Sequence, residues 1–263
     1  MNNKLCRHHR PWSLPHVAEQ LWSRHHPPRG YPAGVKAVPA PIPGVAFFPG
    51  GFGLWRPDVN LPLPSFPVGG VMVLGHDFHS EAGYEASVER TRESETQPTW
   101  RVLLALLREV AIDPSQCFFT NAYMGLRAGT ETTGAFPGAS DDTFVDHCVA
   151  FLGEQIATQR PSLILTLGVN VPPLIARLSP ALADWSVARG LKHLDQVGPV
   201  RTGVRFAVLD REVVSVVALT HPSMRHASVR HRSYRGRNGH EAELLMLREV
   251  LGSVARLTPI LFI

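Results

Sequence analysis

Val71-Met72-Val73-Leu74-Gly75-His76-Asp77-Phe78-His79 decides the fold, because four apolar residues of strand length run straight into a glycine and a largely polar loop. Two other stretches repeat the arrangement: Cys117-Phe118-Phe119 leads into Thr120-Asn121-Ala122, and the run from Val214 to Leu219 leads into Thr220-His221-Pro222-Ser223. Apolar runs this short, rich in β-branched and aromatic residues, read as buried strands. Polar residues at the carboxyl ends of parallel strands converge on one crevice, where open α/β sheets bind ligands. Asp77, Asn121 and His221 therefore face one substrate although they are far apart in the chain.

Outward from these runs the chain alternates strand, loop and helix. Thr99 opens a helix through Val110, with Val102, Leu103, Leu106, Leu107 and Val110 at three- and four-residue spacings. Ser140 or Asp141 caps a second helix through Thr158, striped by Val145, Cys148, Leu152 and Ile156. Pro161 ends it, and Ser162-Leu163-Ile164-Leu165-Thr166-Leu167-Gly168 is a further buried strand. A short helix at Pro172 to Leu178, a strand pair at Val204 to Leu209 and Val213 to Leu219, and a helix from His240 to Ala255 complete the pattern. Crossover helices force parallel pairing, so the expected fold class is α/β: a three-layer α/β/α sandwich around a central, mostly parallel four-stranded sheet.

Composition narrows the alternatives. The 263 residues suit one large α/β domain with an appendage. A formal charge of +4 leans basic without by itself naming a partner. Cys6, Cys117 and Cys148 lack the paired spacing of a disulfide framework or a zinc site, which points to a reducing cytoplasm. The apolar runs fall short of the roughly 20 residues a membrane helix needs, and no h-region marks a secretory signal. No membrane partner is expected.

Residues 1–68 differ in kind, holding more than half of the 23 prolines. Proline fixes φ and removes a donor, so this segment reads as extended or turn-like. Phe47, Phe48, Phe52, Leu54 and Trp55 favour an ordered arm wrapping the core, after a short helix at Val17 to Trp22. Residues 69–263 form the domain proper.

The motifs resemble those of the uracil-DNA glycosylase superfamily. Val73-Leu74-Gly75-His76-Asp77-Phe78-His79 is similar to its water-activating loop, whose best-known form reads Gly-Gln-Asp-Pro-Tyr. Asn121-Ala122-Tyr123-Met124-Gly125-Leu126-Arg127 resembles its base-reading segment, which also ends in Arg in some members, and His221-Pro222-Ser223 matches its His-Pro-Ser loop. The stretch from Phe144 to Gly168 resembles the helix and strand between those motifs, and the likeness spans roughly residues 68 to 252.

The resemblance implies a DNA glycosylase that hydrolyses the N-glycosidic bond of uracil or a related damaged base in base-excision repair. Such a reaction passes through an oxocarbenium-like sugar while negative charge grows on the departing base. By resemblance Asp77 orients or deprotonates the water and stabilises the sugar, and His221 donates to the base O2. Backbone N–H groups of His76 and Asp77 reach the same oxygen, and Asn121 pairs with the N3–H and O4 edge of uracil. His79 stands where the family's Tyr excludes the thymine methyl. No Phe lies between Ser80 and Thr99 to stack on the flipped base, leaving Tyr84 or Phe78 for that place. Three cysteines cannot supply a four-cysteine iron–sulfur cluster, and neither cofactor nor metal is expected.

The expected partner is single- or double-stranded DNA, engaged by a monomer that flips the base out of the stack. By resemblance Ser223 binds a flanking phosphate, and Met224-Arg225-His226 occupies the place of a wedge. Arg225, Arg230, Arg232, Arg235 and Arg237 concentrate positive charge beside the site, suited to phosphate neutralisation. Plainer readings stand beside these. Asp77 and Asn121 are also common turn formers, His221 can be structural, and an arginine run is often a solvated face. Two other functions stay open: a non-catalytic nucleic-acid-binding relative, and a metal-dependent hydrolase using His76, Asp77, His79 and His221 as ligands.

Overall fold

The computed structural model describes residues 23–38, 66–89 and 97–257, with Val17, Gln20 and Leu21 before them. In chain order the elements are β1 (Val35–Lys36), β2 (Val71–Gly75), α1 (Glu81–Glu89), α2 (Pro98–Glu109), β3 (Cys117–Asn121), β4 (Leu126–Arg127), α3 (Asp142–Gln159) and β5 (Leu163–Leu167). There follow α4 (Pro172–Ala176), α5 (Leu191–Val197), β6 (Val200–Val204), β7 (Val214–Leu219), α6 (Arg225–Ser228), β8 (Ser233–Tyr234), β9 (Arg237–Asn238) and α7 (Gly239–Leu257). The chain is an α/β protein. Its central sheet runs β3-β2-β5-β7-β6, with every neighbouring pair parallel except β6 against β7.

The four parallel strands are buried throughout, as their unbroken apolar runs require of strands covered on both faces. Alternate residues serve opposite faces. Met72, Leu74, Phe118, Ile164, Val216 and Ala218 join the apolar stripe of α3 in one cluster. Val73, Phe119, Leu165, Val217 and Leu219 join Leu103 and Leu107 of α2 and Leu244, Leu247 and Val250 of α7 in another. Helix α3 begins at Asp141, whose carboxylate accepts the Phe144 N–H at 2.9 Å. It ends at Arg160, held left-handed just before Pro161, where proline bars further helix.

The sheet has five strands, not four, because an antiparallel edge strand joins it beside β7. Val204 to Leu209 looks like a strand, but Phe206 and Leu209 are buried three residues apart in a turn whose Leu209 N–H reaches the Phe206 carbonyl at 3.0 Å. The pairing partner of β7 is the preceding Val200–Val204, half exposed at the sheet edge, with Gly203 in the left-handed region. Helices α1 and α5 and the small β8–β9 hairpin also lie where no helix or strand is expected from apolar periodicity.

Part of the arm belongs to this core. Val17, Leu21, Val35, Val38 and Phe66 are buried in the α3-side cluster, and β1 pairs antiparallel with β4. Val17, Gln20 and Leu21 are helical. Phe47, Phe48, Phe52, Leu54, Trp55 and Cys6 lie outside the described residues. No described helix is long and apolar enough to cross a membrane.

Candidate active site

Parallel pairing places the motif loops together. Gly75 and Asn121 are register partners at the ends of β2 and β3, and the loops beyond stay joined by Ala122 N–H to the Gly75 carbonyl and Tyr123 N–H to that of His76, each 2.9 Å. On the other side of β2, β5 ends beside β7, with Leu167 opposite Leu219. Gly168 follows at φ 86°, and a Cβ there would sit 3.2 Å from that of His221. The glycine is needed both for its backbone and for the close approach of the His221 loop.

Asp77 is mostly buried and heavily bonded. Its Oδ2 accepts from His76 Nδ1 and from Arg127 Nη2, both at 2.9 Å. Its Oδ1 accepts from the His79 backbone N–H at 3.0 Å and from Arg127 Nε at 3.4 Å. Burial alone would raise its pKa, but the hydrogen bonds and charges of His76 and Arg127 outweigh it and hold the carboxyl at about 2. Arg127 is itself buried and gives its other donors to the carbonyls of Thr133, Gly134 and Ala135. It belongs to the site although neither burial nor pairing could be read from the sequence. The one available sign was the arginine closing the Asn121 to Arg127 segment.

His221 caps the turn Pro222–Met224. The Ser223 backbone N–H donates to its Nδ1 at 3.3 Å, with the Ser223 hydroxyl 2.8 Å from the same atom. A nitrogen that accepts carries no proton, so the neutral ring bears its hydrogen on Nε2. Burial lowers the His221 pKa, the neighbouring His76 lowers it further, and Asp77 opposes both. A neutral imidazole with Nε2–H is a donor suited to an oxygen gaining charge.

Asn121 is 2% exposed, and its side-chain Nδ2 has no hydrogen-bond partner among the described residues. Leaving such a donor unpaired costs about 1–3 kcal/mol, so a native protein that keeps one usually has a use for it.

Other expected residues fall elsewhere. Phe78 and Tyr84 are both buried in the apolar core. The rings set against His76 are Tyr123, edge-on at 5.2 Å, and Phe136, which stacks on Tyr123 at 4.7 Å and 15°. Phe136 comes from a loop with no motif to mark it. His79 is left-handed at φ 78°, with Nδ1 3.3 Å from the Ser80 hydroxyl. A Cβ on Gly83 would lie 2.1 Å from that nitrogen, so the ring rests against the first turn of α1. The Asp77 carboxylate and the Arg127 N–H, which binds the His79 carbonyl at 3.0 Å, fix this unusual backbone.

Arg225 and Arg232 turn inward and are corrected as DNA contacts. Glu243, fully buried, pairs with Arg225 and with Arg232, and its Oε1 also accepts the Thr220 N–H at 2.7 Å. Arg232 is 1% exposed and spends its donors on Glu243, Asp195 and the Ala218 carbonyl. These pairs anchor the His221 loop to α7. Arg230, Ser223 and Met224 remain at the surface, Met224 with 54% exposure, as do Arg235 and Arg237 on the β8–β9 hairpin. Among the described residues no three His, Cys, Asp or Glu side chains are grouped to hold a metal. Neither a protein-family model nor a curated protein matches this chain.

Proposed function

We propose that the chain is a DNA glycosylase of the uracil-DNA glycosylase type, built on a three-layer α/β/α sandwich and hydrolysing the bond between deoxyribose and uracil or a related damaged base. The observation that carries this reading is the unpaired, buried Nδ2 of Asn121, at a strand end beside the His76 to His79 loop. A pyrimidine carbonyl would satisfy that donor, and the Asn121 carbonyl oxygen offers an acceptor to an imide N–H beside it. A base presenting the wrong edge would set donor against donor, a strong basis for selection.

The electrostatics agree with departure of a base anion. Asp77, ionised over the whole neutral range, supplies negative charge to the cationic sugar, and the His221 Nε2–H meets charge growing on the base oxygen. Met224 is an exposed apolar side chain next to the His221 turn and fits the part of a wedge in a flipped duplex. Arg230, with Arg235 and Arg237, provides the exposed charge for phosphates, and Ser223 adds a hydroxyl. The buried free thiols of Cys117 and Cys148 suit a reducing compartment such as the cytoplasm.

Cleavage of end-labelled single-stranded and duplex oligonucleotides carrying one uracil, with alkali to reveal abasic sites, tests the proposal. Uracil-dependent scission by wild type, lost in Asp77→Ala, His221→Ala and Asn121→Ala, is the expected result. A folded wild type that leaves every uracil substrate intact rejects uracil as the base removed.

A further inference from the structure

An ionised carboxylate offers about four lone-pair positions and no hydrogen. In Asp77 four are engaged: Oδ1 by the His79 N–H and Arg127 Nε–H, and Oδ2 by Arg127 Nη2–H and His76 Nδ1–H. Nothing on this carboxylate is left to receive a proton from water. The same contacts fix the neighbouring ring. Because the carboxylate can only accept, His76 Nδ1 must be the donor, and the lone pair of the neutral ring lies on Nε2.

No described residue bonds that Nε2. The His76 side chain keeps 17% of its surface exposed, against 11% for Asp77. Its ring is held edge-on between the carboxylate and the stacked Tyr123 and Phe136, with interplanar angles of 81° and 82°. An oriented imidazole backed by a carboxylate is the arrangement that makes a base out of histidine.

We infer that His76 Nε2 is the group that takes the proton from the attacking water, and that Asp77, clasped by Arg127, is the positioning residue that aims it. The inference rests on the glycosylase reading and deepens it. In the step the water oxygen bonds to C1′ while one of its protons passes to His76 Nε2. The C1′–N bond breaks and its electron pair leaves with the base, where His221 Nε2–H faces the charged oxygen. The His76 imidazolium then returns the proton to the base anion or to solvent, so no oxidant, metal or further reactant enters. Asp77 acts through its charge and through its hold on the ring, without accepting a proton.

Single-turnover cleavage of a uracil oligonucleotide separates the two assignments. His76→Ala is expected to lose about 100-fold or more, the ordinary share of a general base, and added imidazole is expected to restore about tenfold. His76→Gln keeps a donor toward Asp77, guards against a folding defect, and should lose the acid limb of the pH–rate profile. The titratable and charged groups around the ring are Asp77, Arg127, Tyr123 and His221. All four remain in His76→Gln, so a limb that survives belongs to one of them and not to position 76. A surviving limb, or imidazole failing to rescue His76→Ala while formate rescues Asp77→Ala, overturns the His76 assignment and leaves the glycosylase reading intact. Wild type without scission rejects uracil as the base removed and, with it, the His76 assignment made for that substrate.

Discussion

Acid should loosen the arm through one histidine. His25 is buried, with Nε2 3.1 Å from the Met124 carbonyl and Nδ1 2.9 Å from His147 Nε2. A carbonyl only accepts, so Nε2 carries the hydrogen and Nδ1 accepts from His147. Protonating His25 would set donor against donor. Burial first, then the charge of His147, lower its pKa from 6.5 to about 4. The unfolded chain therefore binds the proton first as pH falls, and stability is lost from about pH 6.5 downward until the folded state titrates near 4. At about 1.4 kcal/mol per pH unit the full loss is roughly 3 kcal/mol, of which about 2 kcal/mol is reached by pH 5. Urea unfolding followed by tryptophan fluorescence at pH 8 and pH 5 measures it. Gln at position 25 can keep both bonds without titrating, so wild type should lose about 2 kcal/mol more than His25→Gln. Equal losses in the two proteins would refute the reasoning.

Asn121→Leu should abolish uracil cleavage while leaving the urea midpoint level or higher, because the lost donor has no partner among the described residues; a marked drop in stability would mean the amide holds the fold together. Glu243→Gln takes away the carboxylate that Arg225 pairs with and leaves Arg232 with Asp195 as its carboxylate, and should cost about 3–5 kcal/mol, with a loss below about 1 kcal/mol contradicting the network. Gly168→Ala combines a left-handed backbone with a contact on His221 and should cost about 1–2 kcal/mol and slow cleavage, both read on the same preparation. Anisotropy against salt concentration should show Arg230→Ala and Arg237→Ala each lowering the DNA-binding slope by about one; unchanged slopes would remove them from the phosphate contacts.

What the sequence discloses here depends on how local the signal is. The four parallel strands are legible because unbroken apolar runs such as Leu163-Ile164-Leu165 admit little else when bounded by Pro161 and Gly168. The edge strand β6 is not, since Val-Arg-Thr-Gly-Val carries one buried residue and neighbours a turn that mimics a strand. At the site, Asp77, Asn121 and His221 announce themselves by their place after those runs. Arg232 is deceptive: a charged side chain in a basic stretch reads as solvated, and only the fold reveals that Glu243 and Asp195 lie within reach. Arg127 and Phe136 depend on the 133–136 stretch meeting the loop that carries His76 and Asp77, a long-range matter that spacing does not encode.

The two-residue strand β1 has a reach beyond its length. Val35 stands opposite Arg127 on β4, and Val35 Cγ1 lies where any Cβ on Gly125 would come within 2.5 Å. The arm thus splints the segment that presents Arg127 to Asp77. The guanidinium itself is gripped by the carbonyls of Thr133, Gly134 and Ala135, so β1 steadies the backbone from which Arg127 reaches toward Asp77. Two residues of the proline-rich segment are thereby built into the scaffolding of a candidate site whose own side chains all come from later in the chain.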